Sequence, residues 1–120
     1  MHDEANIMLK IPCHPGIPMF IGLFTLDHPY LLVTKFHQYA GKSITYSDFL
    51  KYYKKKRNGT VFYHLLCTLL DAIMHIHESE ILHNDIKGNN VLVEKSDDQK
   101  QCILIDFGKA FTLKESKGML

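Results

Sequence analysis

An α+β fold is predicted for this chain, and three observations carry the prediction. Residues 60–79 repeat their apolar side chains at helical spacing over five turns. Two pairs of short β-branched or aromatic runs, 19–26 with 30–36 and 91–94 with 102–105, are each separated by turn-forming residues. Beside the second pair lie two polar sequences, His83-Asn84-Asp85-Ile86-Lys87-Gly88-Asn89-Asn90 and Asp106-Phe107-Gly108.

The elements follow in order. Ile7, Met8 and Ile11 fall on one face of a helix over residues 3–11, which Pro12 ends because its ring cannot continue the hydrogen-bond ladder. His14-Pro15-Gly16-Ile17-Pro18 is a turn cluster. Met19 to Leu26 and Tyr30 to Phe36 read as strands around the turn Asp27-His28-Pro29. Ser47 is the expected cap of a short helix, Asp48 to Lys56, closed by Asn58-Gly59. In the long helix, Val61, Leu65, Leu69, Ala72 and Ile76 form one apolar stripe, and Phe62, Leu66, Leu70 and Ile73 a second beside it. A helix so widely apolar is expected to be covered on most sides. Ser96 to Lys100 is the expected turn between the last two strands, and the tail from Lys109 shows no periodicity.

Composition narrows the class. With 120 residues, 46% of them hydrophobic and 22% charged, the chain suits one small globular unit rather than a disordered segment. A formal net charge of +1 argues against a dedicated nucleic-acid or membrane-surface binder. Cys13, Cys67 and Cys102 are widely spaced with no C-x-x-C pair, which points to reduced thiols in the cytoplasm or nucleus. Ile17 to Leu26 is too short to span a bilayer, and the acidic start Met1-His2-Asp3-Glu4 lacks a signal-peptide pattern.

The two polar sequences read as H-x-D-x-K-x-x-N and D-F-G. They combine a carboxylate to orient a hydroxyl, a lysine for phosphate charge, and oxygen ligands for Mg²⁺, which is what metal-assisted phosphoryl transfer requires. Either alone is weak. Together, in this order, behind a long apolar helix, they make the chain resemble the eukaryotic protein kinase family over nearly its whole length.

That resemblance implies a fragment of the two-lobed kinase fold: an N-lobe remnant over 1–36, then the hinge and first part of the C-lobe over 37–120, with long helix, catalytic loop and β-hairpin. It implies ATP and Mg²⁺ as cofactors and a protein hydroxyl as acceptor, with Lys87 marking the serine/threonine branch. Asp85 would orient the acceptor hydroxyl, Lys87 would neutralise the transferring phosphate, and Asn90 and Asp106 would hold the metal. Gly108 would supply the backbone turn that aims Asp106. Thr34 would be the gatekeeper, backbone groups of Lys35 and His37 would bond adenine, and Leu92 would pack beneath it. Glu4 matches the helix-C glutamate, although Pro12-Cys13 adds one residue to the usual spacing. Met8, Phe20, His83 and Phe107 would stack to lock the active arrangement.

The departures carry expectations too. Asn84 replaces the usual catalytic-loop arginine, so control by that arginine gripping a phosphorylated loop is not expected. No G-x-G-x-x-G occurs, three residues precede Glu4, and no A-P-E follows. The lid and lysine that clamp ATP phosphates are expected to be missing, and this chain alone is expected to bind Mg-ATP weakly and turn over poorly or not at all. A longer gene product is one explanation. A non-catalytic remnant serving as a protein-interaction module, or self-associating over the exposed apolar helix, is the alternative.

Asp85 could serve only as a turn residue, but the paired motif outweighs that. His83 reads as a packing residue rather than an acid or base. His64, Asp71, His75 and Glu78 share a helix face and read as a solvated stripe, not as metal ligands. Lys54-Lys55-Lys56-Arg57 reads as exposed helix-end charge, and Asn58-Gly59-Thr60 is a glycosylation sequon in letters only.

Overall fold

The computed structural model describes residues 2–53 and 59–114, the side chain of residue 2 excepted. Its elements are α1 (His2–Leu9), β1 (Phe20–Phe24), β2 (Leu31–Thr34), α2 (Tyr46–Tyr52), α3 (Gly59–Glu78), β3 (Ile81–Leu82), a 3-10 turn (Gly88–Asn90), β4 (Val91–Ser96), β5 (Gln99–Leu104) and β6 (Phe111–Thr112). The strands form three separate antiparallel pairs, β1–β2, β3–β6 and β4–β5, and the mixed helix-and-strand class holds.

The core lies where α3 rests on the β4–β5 hairpin. Leu65, Ala72 and Ile76, all from the first apolar stripe, are fully buried with Val91, Val93, Cys102 and Leu104. Ile7 and Met8 of α1 join the same cluster with Phe49 and Phe107. Each large apolar side chain removed from water contributes about 1.5–3 kcal/mol, so this contact dominates the stability. By length and composition α3 could cross a bilayer, yet its most buried stripe belongs to this core.

Coverage of α3 is one-sided rather than nearly complete. Tyr63, Leu66, Leu70 and Met74 remain 70%, 50%, 49% and 62% exposed. Its polar stripe is also more than a solvated face. His64 Nε2 donates to the Lys100 carbonyl (3.0 Å), and Thr68 Oγ1 accepts from the Cys102 N–H (3.0 Å). His14 Nε2 donates to Asp71 (2.9 Å), and His75 Nε2 donates to the Pro12 carbonyl (2.7 Å). Backbone groups of β5 and of the 12–16 turn need partners, and this face supplies them.

Several boundaries differ from expectation for local reasons. α1 ends at Leu9, and the Lys10 and Ile11 N–H groups bond three residues back in a tightened last turn before Pro12. The cap of α2 is Thr45, whose hydroxyl accepts from the Asp48 N–H (3.1 Å), not Ser47. Ser47 instead packs its hydroxyl against Gly88, where any Cβ would collide with it. α2 stops at Tyr52; Lys54-Lys55-Lys56-Arg57 and Asn58 lie outside the described residues. β5 starts at Gln99, so the hairpin turn is only Asp97-Asp98. The two-residue pair β3–β6 is too short to show any period.

The segment between β2 and α2 runs along β4. Lys95 N–H donates to the Gln38 carbonyl (3.1 Å) and Val93 N–H to the Ile44 carbonyl (2.9 Å).

Candidate active site

The loop between β3 and β4 is organised by His83, which is fully buried. Its Nδ1 accepts from the Asp85 N–H (3.2 Å) and its Nε2 donates to the Ile105 carbonyl (2.8 Å). A backbone donor at Nδ1 requires a lone pair there, so the ring carries its proton on Nε2. The ring also meets Phe107 edge-on, centroids 5.0 Å apart. His83 therefore packs and orients, as expected. Asn84 takes a left-handed φ of 66°, a conformation Asn tolerates better than most residues.

Asp85 and Asn90 meet directly. Asn90 Nδ2 donates to the Asp85 carbonyl and to Asp85 Oδ2, both at 2.9 Å, which leaves Asn90 Oδ1 outside this network. Lys87 Nζ lies 3.8 Å from Asp85 Oδ1. Lys109 Nζ lies 3.7 Å from Asp85 Oδ2. Motif spacing gave no sign of Lys109, which stands one residue beyond Gly108 and arrives only through the tertiary fold. The Ile105 N–H donates to the Asn90 carbonyl (2.9 Å), which joins the loop to the segment carrying Asp106.

The turn at Asp106-Phe107-Gly108 differs from expectation. The left-handed residue is Asp106 itself, at φ 61°, while Gly41 is the glycine at positive φ among the described residues. Gly108 matters for space: its N–H donates to Asp106 Oδ1 (3.1 Å), and a Cβ there would stand 3.1 Å from that oxygen. The Phe107 N–H donates to Glu4 Oε1 (3.1 Å), so α1 is tied to this turn across the whole chain. Phe107 and Met8 are buried in one core cluster, with Phe20 partly buried against it.

A cleft of about 300 Å³ opens beside this turn, and Glu4, Thr34, Lys35, His37, Leu92 and Asp106 all line it. Of the Lys35 and His37 backbone groups, Lys35 N–H is taken by the Met19 carbonyl (2.9 Å) and the His37 carbonyl by the Ser43 hydroxyl (3.1 Å). The Lys35 carbonyl keeps only a 3.4 Å contact with the Thr34 hydroxyl. No partner of the His37 N–H is found among the described residues. One acceptor and one donor thus remain on the wall. The His37 ring, absent from sequence expectation as a side chain, bonds Glu94 Oε1 through Nδ1 (3.1 Å), and its Nε2 is buried without a partner among the described residues.

Hard oxygen donors suit Mg²⁺, and Asn90 Oδ1 and the Asp106 carboxylate are of that kind. Among the described residues no group of three or more His, Cys, Asp or Glu could hold a metal by itself. A two-ligand arrangement fits a cation that takes its remaining ligands from water and phosphate.

The model of the protein kinase domain family matches residues 1–119. Serine/threonine-protein kinase B of Synechocystis sp. is 31% identical over 111 residues, which cover 88% of this chain and 17% of that protein. Serine/threonine-protein kinase C of the same organism is 31% identical over 120 residues, covering 99% and 21%. Calcium/calmodulin-dependent protein kinase cmkA of Emericella nidulans is 27% identical over 110 residues, covering 92% and 25%. The chain spans a quarter or less of the length of these relatives. With its loop, turn and cleft arranged as described, the chain belongs to the protein kinase domain family.

Proposed function

We propose that this chain is the nucleotide-binding and catalytic middle of a serine/threonine protein kinase, moving the γ-phosphate of ATP to a protein hydroxyl. The observation that supports this most is the junction of Asp85, Lys87 and Asn90, none of which lines the cleft itself, with the Ile105–Asp106 segment, which does. Asp85 orients the acceptor hydroxyl and receives its proton. Lys87 neutralises charge on the phosphoryl group. Asn90 and Asp106 hold Mg²⁺, which when bound offsets charge developing on phosphate oxygens. The Lys35 carbonyl and His37 N–H pair with the base edge, Thr34 borders it, Leu92 packs against its face, and Glu4 fixes the Phe107 backbone. Positioning of this kind supplies most of the rate in phosphoryl transfer.

Protein is the proposed acceptor, with neither nucleic acid nor membrane surface engaged. The compartment proposed is the cytoplasm or the nucleus, since Cys13, Cys67 and Cys102 are free thiols that suit a reducing environment. The test is transfer from labelled ATP to a serine-containing protein, with an Asp106→Ala control. Slow transfer that needs Asp106 supports the reading. Transfer indifferent to Asp106, or no Mg-ATP binding at all, contradicts it.

A second reading, an interaction module without catalysis, is favoured by the exposed stripe Tyr63, Leu66, Leu70 and Met74 on α3. Size-exclusion chromatography separates the two: concentration-dependent association without nucleotide binding supports the module, and a monomer that binds Mg-ATP removes it.

A further inference from the structure

Two ammonium groups share one carboxylate in this site. Lys87 Nζ stands 3.8 Å from Asp85 Oδ1 and Lys109 Nζ 3.7 Å from Asp85 Oδ2. The Asp85 side chain is only 18% exposed, whereas those of Lys87 and Lys109 are 57% and 66% exposed. Both lysines reach the carboxylate from solvent, and neither has another acidic partner among the described residues. Exposed ion pairs of this length add little to folding, so stability alone does not account for a second one here. Asp85 is also already fixed by Asn90 Nδ2 and by its own N–H on His83. What the second lysine adds is charge: two cations meet the single carboxylate of Asp85.

The Lys109 backbone is held in this position independently of its side chain. Its carbonyl faces Asn84 Nδ2 at 3.5 Å, and the next residue, Ala110, donates its N–H to the Phe107 carbonyl at 3.1 Å. The long side chain is therefore free to leave Asp85 while its root stays within reach.

We propose that Lys109 is a second cation of the transfer site, released from Asp85 to hold an anionic oxygen brought beside it. This rests on the phosphoryl-transfer reading above. The anionic oxygen belongs either to the nucleotide's terminal phosphate or to an acidic side chain next to the acceptor hydroxyl. Both offer a lysine the same charge-assisted hydrogen bond. In either case Lys87 and Lys109 divide the work, one cation for each of two anionic groups, and Asp85 is left to the acceptor hydroxyl.

Binding measurements on the 120-residue chain test this without relying on turnover. Calorimetry gives the affinities for Mg-ATP and Mg-ADP, and fluorescence anisotropy those for two serine peptides in Mg-ADP, one flanked by aspartates and one by alanines. Lys109→Gln is expected to reduce one of two preferences, ATP over ADP or acidic over neutral peptide, by about fivefold, the scale of one partly exposed charged hydrogen bond. Lys109→Arg is expected to retain it. Loss of the first preference assigns the cation to the phosphate, and loss of the second assigns it to the acceptor. If both preferences survive in Lys109→Gln, or if all four affinities fall equally, the inference is overturned while the kinase reading stands. If the wild-type chain does not bind Mg-ATP, the kinase reading fails and takes this inference with it.

Discussion

The hairpins β4–β5 and β1–β2 share a topology and differ in everything that surrounds them. β4–β5 is pressed against α3 on one side and the 38–45 segment on an edge, and Val91, Val93, Cys102, Ile103 and Leu104 are all buried. β1–β2 buries none of its residues, and its register slips at Ile21, which bulges out between Phe20 and Gly22. Only Phe20 and Leu32 pack against the core, both partly buried, and a two-stranded ribbon with so little cover is marginal in water. The chemistry-bearing residues hang on the first hairpin: Asn90 precedes it, Asp106 follows it, and Leu92 lies within it. The second contributes only Thr34 and leads into Lys35. Under the proposed function, the residues of phosphoryl transfer sit beside the buried hairpin, and the residues proposed to meet the base sit beside the lighter one.

Truncations should separate the two hairpins. Leu104→Ala is expected to lower stability by about 2–5 kcal/mol, measured by urea denaturation, because the cavity opens beneath α3. Thr68→Val comes next, at about 1–3 kcal/mol, since it strips the Cys102 N–H of its acceptor. If either costs no more than a truncation in β1–β2, the contrast is wrong.

Alkaline pH sharpens the comparison. Burial pushes the Cys102 thiol up from an ordinary 9.0 to about 11, with its Thr68 hydrogen bond pulling the other way. The fold favours the protonated thiol, so this contribution is complete below pH about 9 and is lost as pH rises towards about 11. Tyr39, pushed to about 12 by burial and by Tyr53, and Tyr46, raised by burial, act in the same direction. Comparing urea midpoints at the two ends of that window in wild type and Cys102→Ala isolates the thiol. A thiol reagent should also modify the exposed Cys13 and Cys67 well before Cys102. The smallest effect belongs to the other hairpin: Val33→Thr is expected to change stability by less than about 0.5 kcal/mol, because Val33 is exposed.

Motif and period were legible where they are local. The spacing of Asp85, Lys87 and Asn90 marks one loop, and 60–79 shows its helix to within a residue at each end. What stayed hidden depends on tertiary approach. Lys109 meets Asp85 only because the Asp106 turn folds back over the loop. Thr45 wins the cap from Ser47 because Ser47 is pressed against Gly88. The left-handed turn falls on Asp106 rather than Gly108, since the Asp106 carboxylate bonds the Gly108 N–H and so stabilises its own strained backbone. His64, Asp71 and Glu78 are exposed, as a solvated stripe should be, but a helical wheel cannot show that β5 and the 12–16 turn present backbone carbonyls and His14 to His64, His75 and Asp71.

The most direct measurement is calorimetric titration of Mg-ATP into wild type, Asp85→Asn and Asp106→Asn. Asp106→Asn removes a charged ligand from the cation and should weaken binding by about tenfold or more, while Asp85→Asn should leave affinity within about twofold. Equal affinities for all three proteins would contradict a metal-nucleotide complex held between Asn90 and Asp106.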